Sequence, residues 1–324
     1  MLVKKFLTIL FVISLFSSFP IFAQKKDKDS LQIQYFSPTN PFYLENSDTS
    51  LSNLIFYQPI SSFTNFAFNS GNIGQAFAPL FWNYSRSQEN VFHAFDSYFL
   101  KSDSVKYYYT SRPYTEFVYT QGLTNEHLPS VFHTQRFNSQ MGVTLNYRVI
   151  SSEGTYSNQA TRGHNFYTAI DFHSKKGRYI SLLDFVYNSL NSEENGGLSA
   201  DDYEDFISGD NSNRLLYEAN LSSAANIMRH KGVAWKNYWF CFGKTDSIEV
   251  RNYRLGLFNE LNITSSSSLF KMESSTDVLS FNSIFIDSTQ TRDSLWLNRL
   301  ETFAGLTIGN WNKTFYIPQI KVGY

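Results

Sequence analysis

From Gln140 onward the chain exchanges apolar and polar residues almost one by one. Val143, Leu145, Tyr147 and Val149 are interleaved with Gly142, Thr144, Asn146 and Arg148. Phe166, Ile170 and Phe172 oppose Asn165, Asp171 and His173. Tyr217, Ala219, Leu221, Ala225 and Ile227 oppose Glu218, Asn220, Ser222, Ala224 and Asn226. Tyr253, Leu255, Leu257, Leu261 and Ile263 oppose Arg254, Gly256, Glu260, Asn262 and Thr264, and Leu300, Leu306 and Ile308 oppose Glu301, Thr307 and Gly309. Successive strand residues point to opposite sides, so this two-residue period predicts strands with one apolar and one polar face.

A soluble sandwich and a membrane barrel share that pattern, and the joints separate them. Residues 137–140, 173–177 and 230–232 read as tight turns, whereas 151–163, 191–214 and 244–252 are long and polar. Short joints at one end and long loops at the other are the mark of outer-membrane barrels, with the long loops outside the cell. The run 140–151 also has the length of a tilted spanning strand, about 9–11 residues.

The first 110 residues read differently. Lys4 and Lys5 precede an apolar stretch, Phe6 to Phe19, followed by Pro20 and then Ile21-Phe22-Ala23-Gln24. This is a cleavable signal peptide over 1–23, with cleavage expected between Ala23 and Gln24. After it, no stretch approaches the ~20 apolar residues of a spanning helix, so any membrane crossing falls to strands. Residues 24–110 carry Pro38, Pro41, Pro59 and Pro79 and the run Gly71-Asn72-Ile73-Gly74. They read as an irregular segment with short extended pieces, long enough to fold into or under a barrel lumen. Residues 111–324 then supply the antiparallel barrel strands, about eleven of them by pattern. An odd count cannot return both ends to one side of the membrane. The expectation is therefore a partial, open barrel in a chain that looks C-terminally truncated.

Composition sharpens this picture. Aromatics reach 18% of residues, with 31 Phe and 21 Tyr, as strands and interfacial girdles favour. The 28 acidic and 27 basic residues nearly cancel, so there is no electrostatic footprint for nucleic acid. Cys241 is the single cysteine, which excludes an intrachain disulfide and a cysteine-based metal site.

Catalytic and cofactor motifs do not emerge. Asp201-Asp202-Tyr203-Glu204-Asp205, with Asp210, lacks the spacing of a calcium loop and reads as a solvated extracellular stretch. His127 and His133 have no partner at metal-ligand spacing. The many serines lie in polar loops without a Gly-x-Ser-x-Gly elbow, and Gly71-x-x-Gly74 reads as a turn needing positive φ. No catalytic, cofactor or metal residue is assigned, and the chain reads as a non-enzyme.

Several segments carry a resemblance. Asp48-Thr49-Ser50-Leu51-Ser52-Asn53-Leu54, Gly71-Asn72-Ile73-Gly74-Gln75-Ala76, Arg112-Pro113-Tyr114-Thr115-Glu116 and Tyr119-Thr120-Gln121-Gly122 come first. His133-Thr134-Gln135-Arg136, Ser151-Ser152-Glu153-Gly154-Thr155-Tyr156, and Tyr187-Asn188-Ser189-Leu190 leading to Glu194-Asn195-Gly196-Gly197-Leu198 follow, and Asp293-Ser294 closes a later loop. In this order the chain resembles the N-terminal half of the outer-membrane porins of Bacteroides- and Flavobacterium-type bacteria. The resemblance implies an outer-membrane barrel with a transport role and brings no catalytic residues.

The sequence thus points to an all-β, antiparallel transmembrane outer-membrane β-barrel. The expected function is passive diffusion of small solutes, with a non-channel barrel for adhesion or assembly as the alternative and a barrel hydrolase as a third reading. Asn146, Arg148, Asn165, Asp171, Glu218, Asn220, Arg254 and Glu260 are the expected lumen-facing residues. The expected partners are outer-membrane lipid, the barrel-assembly machinery and small solutes.

Overall fold

The computed structural model describes residues 33–38, 40–47, 67–69, 71–80, 93–122, 125–209, 213–245, 251–273, 290–307 and 322–323. The signal-peptide reading of 1–23 and most of the strand expected at 315–324 lie outside them. No helix among the described residues is long and apolar enough to cross a membrane.

One antiparallel sheet dominates the all-β fold. Its strands are β6 (Tyr114–Gln121), β7 (His127–Arg136), β8 (Met141–Ser152), β9 (Thr161–His173), β10 (Tyr179–Glu193), β11 (Ala225–Thr245), β12 (Arg251–Met272), β13 (Thr291–Thr307) and β14 (Val322–Gly323). Each pairs with the next in chain order. Such a meander is barrel-like, and it is not closed: among the described residues no ladder joins β6 to β13 or β14.

The turns follow from local chemistry. At 137–140 the Asn138 carboxamide oxygen accepts from the backbone N–H of Gln140 (2.8 Å) and Met141 (2.9 Å), folding β7 back as β8. At 174–178 the Ser174 hydroxyl accepts from Tyr179 N–H at 3.0 Å, while Ser174 N–H donates to the Tyr179 carbonyl at 2.9 Å. Joints 137–140 and 174–178 lie at one end of the sheet. The connections 153–160 and 194–224 lie at the other, and so does the short joint between β6 and β7, so the expected sorting by length holds only in part.

Three expectations change. The predicted turn at 230–232 lies inside β11, which runs unbroken for 21 residues. Gly232 is there because space is short: a Cβ would stand 2.8 Å from Val186 Cγ2 and 3.4 Å from Ser102 Oγ. The predicted strand 217–227 is mostly connection, since β11 starts only at Ala225. With that turn gone, β11 ends at Thr245 and β12 begins at Arg251, so this joint falls at the short-turn end rather than among the long loops. These changes leave nine strands in the sheet among the described residues instead of about eleven.

The N-terminal segment forms a second, smaller layer. β1 (Ile33–Ser37) pairs with β2 (Asn40–Asn46) and with β5 (Tyr107–Thr110). β3 (Ala67–Asn69) pairs with β4 (Phe77–Pro79), and 3-10 turns follow at His93–Tyr98 and Ser102–Ser104. This layer lies against one face of the large sheet. Phe36, Val105 and Tyr107 pack on Tyr167, Ile180, Leu182, Val186 and Phe258. Phe77, Phe95, Tyr98 and Phe99 pack on Leu128, Ile150, Leu190 and Met228. Burying side chains of this size stabilises by roughly 1.5–3 kcal/mol each, so the core lies between segment and sheet.

Candidate pore-lining face

The segment divides the sheet into a covered face and an open face, and registers assign every strand residue to one of them. On β10 the covered side carries Ile180, Leu182, Asp184, Val186, Asn188, Leu190 and Ser192. The open side carries Tyr179, Ser181, Leu183, Phe185, Tyr187 and Ser189. On β8, Thr144, Asn146 and Arg148 point to the covered face, and Val143, Leu145, Tyr147 and Val149 to the open one.

Polar residues of the covered face meet the segment in tiers. Nearest the short turns, the Arg136 guanidinium pairs with Asp171 at 2.9 Å and stacks 4.5 Å over the Tyr109 ring, and His173 Nε2 stands 3.1 Å from the same carboxylate. Deeper in the face, Lys236 pairs with Glu260 at 2.9 Å and reaches Asp103 of the segment at 3.5 Å. Beside it the Tyr107 hydroxyl donates to Asp184 at 2.9 Å.

The next tier holds the chain of the segment itself. Asn188 is fully buried and treats Leu100 as a strand neighbour would: its amide donates to the Leu100 carbonyl (2.7 Å) while its oxygen accepts from Leu100 N–H (2.9 Å). The Asn165 amide donates to the Tyr98 carbonyl (2.8 Å) and to Asn188 (2.7 Å). Arg148 donates to Asn165 (3.0 Å) and to the Tyr98 carbonyl (3.2 Å). Three side chains and the backbone groups of Tyr98 and Leu100 thus satisfy one another where no water need enter, as buried polar groups require.

Nearest the long connections, Asn72 donates to the Gln159 carbonyl at 2.6 Å and accepts from Ser152 at 2.6 Å. Thr161 donates to the Ile73 carbonyl. Gly74 explains the fit: its φ is +85°, and a Cβ there would press to 2.9 Å from Thr161 Cβ. The Gly71-x-x-Gly74 run is a turn at positive φ, with Gly71 at +87°.

Of the sequence-expected residues, Asn146, Arg148, Asn165, Asp171 and Glu260 lie on the covered face. Glu218 and Asn220 do not, because they belong to the long connection 194–224. Glu218 N–H donates to the Asp202 carboxylate, and the Asn220 amide donates to the Gly196 (3.1 Å) and Leu198 (2.9 Å) carbonyls. The Arg254 side chain lies outside the described residues. Sequence reasoning missed Asp184, Asn188 and Lys236. Lys236 was within reach, since extending the two-residue period past Lys231 places it opposite Glu260.

The acidic run 201–205 leads into the short helix α1 (Tyr203–Ser208), and no metal-competent cluster of His, Cys, Asp and Glu occurs among the described residues.

The open face is aromatic and aliphatic. Leu183, Val233, Trp235, Trp239, Leu257, Ile263, Leu300 and Leu306 are all exposed there. Tyr179 packs against Trp239 (5.4 Å between ring centroids) and against Phe172 (6.2 Å). From the Tyr179–Trp239 pair to Tyr187, the strand rises about 26 Å at ~3.3 Å per residue. At a tilt of ~40° that is about 20 Å of height, close to the ~25 Å apolar band of a membrane barrel.

The sequence matches the family described as "Putative porin" over residues 32–318. The chain belongs to this family. No curated protein and no solved structure matches it.

Proposed function

We propose that this porin-family chain forms an outer-membrane barrel through which small solutes diffuse passively, with the N-terminal segment on the lumen side narrowing the path. The observation that carries the reading is the division of β6–β13 into two faces. The open face exposes a band of Trp, Leu, Ile and Val, which in water would be a large unsatisfied apolar surface. The covered face carries three pairs of opposite sign, Arg136 with Asp171, Lys236 with Glu260, and Arg299 with Glu301 at 3.6 Å, beside Arg148 and Asp184.

Asn146, Arg148, Asn165, Asp171 and Glu260 are lumen-side groups on this reading. Arg148 and Asn165 are engaged by the segment, and Asp171 and Glu260 by cations of the sheet, Arg136 and Lys236. The Arg299–Glu301 pair keeps about a third of its side-chain surface exposed (34% and 38%), so passage falls along β12–β13. Rings of one sign discriminate ions and opposite-sign pairs do not, so selectivity between small cations and anions is weak. Outer-membrane lipid, the assembly machinery that inserts barrels and small solutes are the partners, after export with cleavage between Ala23 and Gln24.

Conductance of the full chain in planar bilayers tests this. Small steps with little preference between K⁺ and Cl⁻ are expected. The close seating of the segment favours a second reading, a non-channel barrel for adhesion or assembly. Carbonate-resistant membrane insertion without conductance would select it.

A further inference from the structure

Charge is distributed unevenly between the two faces. The covered face mixes signs. On the described side chains of the open face, the strands β6–β13 carry the cations Arg162, Arg229, Lys231, Lys271 and Arg292 and a single carboxylate, Glu193. Glu193 is already engaged by Ala160 N–H at 3.1 Å, and Lys271 pairs with Glu273, just past the end of β12, at 3.1 Å. The five cations lie at the long-connection end, from the Tyr187 row outward. None lies within the apolar band.

Arg229 and Lys231 form the centre. Both are exposed and stand two residues apart on one side of β11, about 7 Å along the strand. Their cross-strand neighbours are Ser189 and Ser267 for Arg229, and Tyr187 and Ser265 for Lys231. None is acidic, and all can donate a hydroxyl hydrogen bond. Two long cations on one side of a strand, flanked by hydroxyl-bearing neighbours at the rim of an apolar band, suit one ligand chemistry. That ligand carries phosphate at the interface and acyl chains below it, because a phosphate takes charge-assisted bonds from both cations while the chains run down over Phe185, Val233 and Ile263.

We propose that Arg229 and Lys231 bind the phosphate of a phosphorylated glycolipid in the leaflet on the long-connection side. This rests on the barrel reading above. The test uses the full chain in detergent, titrated with lipid A and followed by native mass spectrometry. Wild-type protein should bind lipid A, and the Arg229→Ser/Lys231→Ser double variant should bind it about 30-fold more weakly, about fivefold per cation. The Arg229→Lys/Lys231→Arg exchange should keep most of the binding. Dephosphorylated lipid A should lose as much as the serine variant loses. Inorganic phosphate at millimolar concentration should not displace the lipid.

Equal lipid A binding by the serine variant, or full displacement by inorganic phosphate, would overturn the lipid site while leaving the barrel standing. Fractionation of the same cells separates the two failures. Wild-type protein absent from the outer-membrane fraction would overturn the barrel reading and the site with it.

Discussion

Asn188→Ala should loosen the N-terminal segment from the sheet without disturbing the exterior. In the wild type, Asn188 satisfies both backbone groups of Leu100 and one amide hydrogen of Asn165. Truncation leaves those three groups buried and unmatched. Each such group costs about 1–3 kcal/mol, so the docked state should lose about 3 kcal/mol even if half the penalty is relieved by entering water. That raises the undocked population about a hundredfold. The assay is cleavage after Lys101 by a lysine-specific protease, on protein reconstituted in vesicles. Lys101 lies next to the clamp, its ammonium 3.6 Å from the buried Asp96 carboxylate. Ser189→Ala, one residue along and on the open face, is the control and should leave cleavage at the wild-type rate. Equal protection of Lys101 in Asn188→Ala and wild type would refute the clamp.

Further outcomes follow from the same geometry. Leu145→Arg puts a charge on the open face at a cost of about 2–4 kcal/mol at the bilayer midplane, and should reduce the membrane-inserted fraction far more than Asn146→Arg. Glu194, at the root of the long connection, has its carboxyl pKa raised by burial, with the Asn226 amide opposing part of the shift. Its folded state therefore holds the proton more tightly, and the anchoring it gives is complete below the unfolded pKa of ~4.3 and lost as pH rises through the raised value. Hydrogen exchange corrected for intrinsic rates should show 194–224 better protected at pH 4 than at pH 7, and Glu194→Gln should abolish the difference. After Cys241→Ser, a cysteine at Asp202 should react with a membrane-impermeant reagent on whole cells and one at Lys176 should not; the reverse result would invert the topology.

Strands with contrasting faces were legible in the sequence. β8, β9 and β12 alternate because one face is apolar and the other polar, and Arg148, Asn165, Asp171 and Glu260 could be read directly. β10 hid its role, because the segment makes its covered face partly apolar too. Ile180, Leu182 and Val186 oppose Leu183 and Phe185, and the two-residue contrast disappears. Asp184 and Asn188 were lost with it. Gly232 misled for a related reason. Glycine beside charged residues signals a turn locally, whereas its cause is the approach of Ser102 from far along the chain. The alternation at 217–227 has a different origin: Tyr217 packs on Phe206 of α1, and Leu221 and Ala224 pack with Met272. A local hydrophobic cluster can imitate a strand.

Fluorescence quenching along β10 tests the central claim most directly. A small fluorophore is attached at single cysteines from 180 to 187 in the Cys241→Ser background and reconstituted with lipids brominated in their acyl chains. Strong quenching is expected at 181, 183, 185 and 187 and little at 180, 182, 184 and 186, because only the odd positions project from the open face. Uniform quenching, or a reversal of the alternation, would contradict a sheet with its aromatic face in lipid and its N-terminal segment on the lumen side.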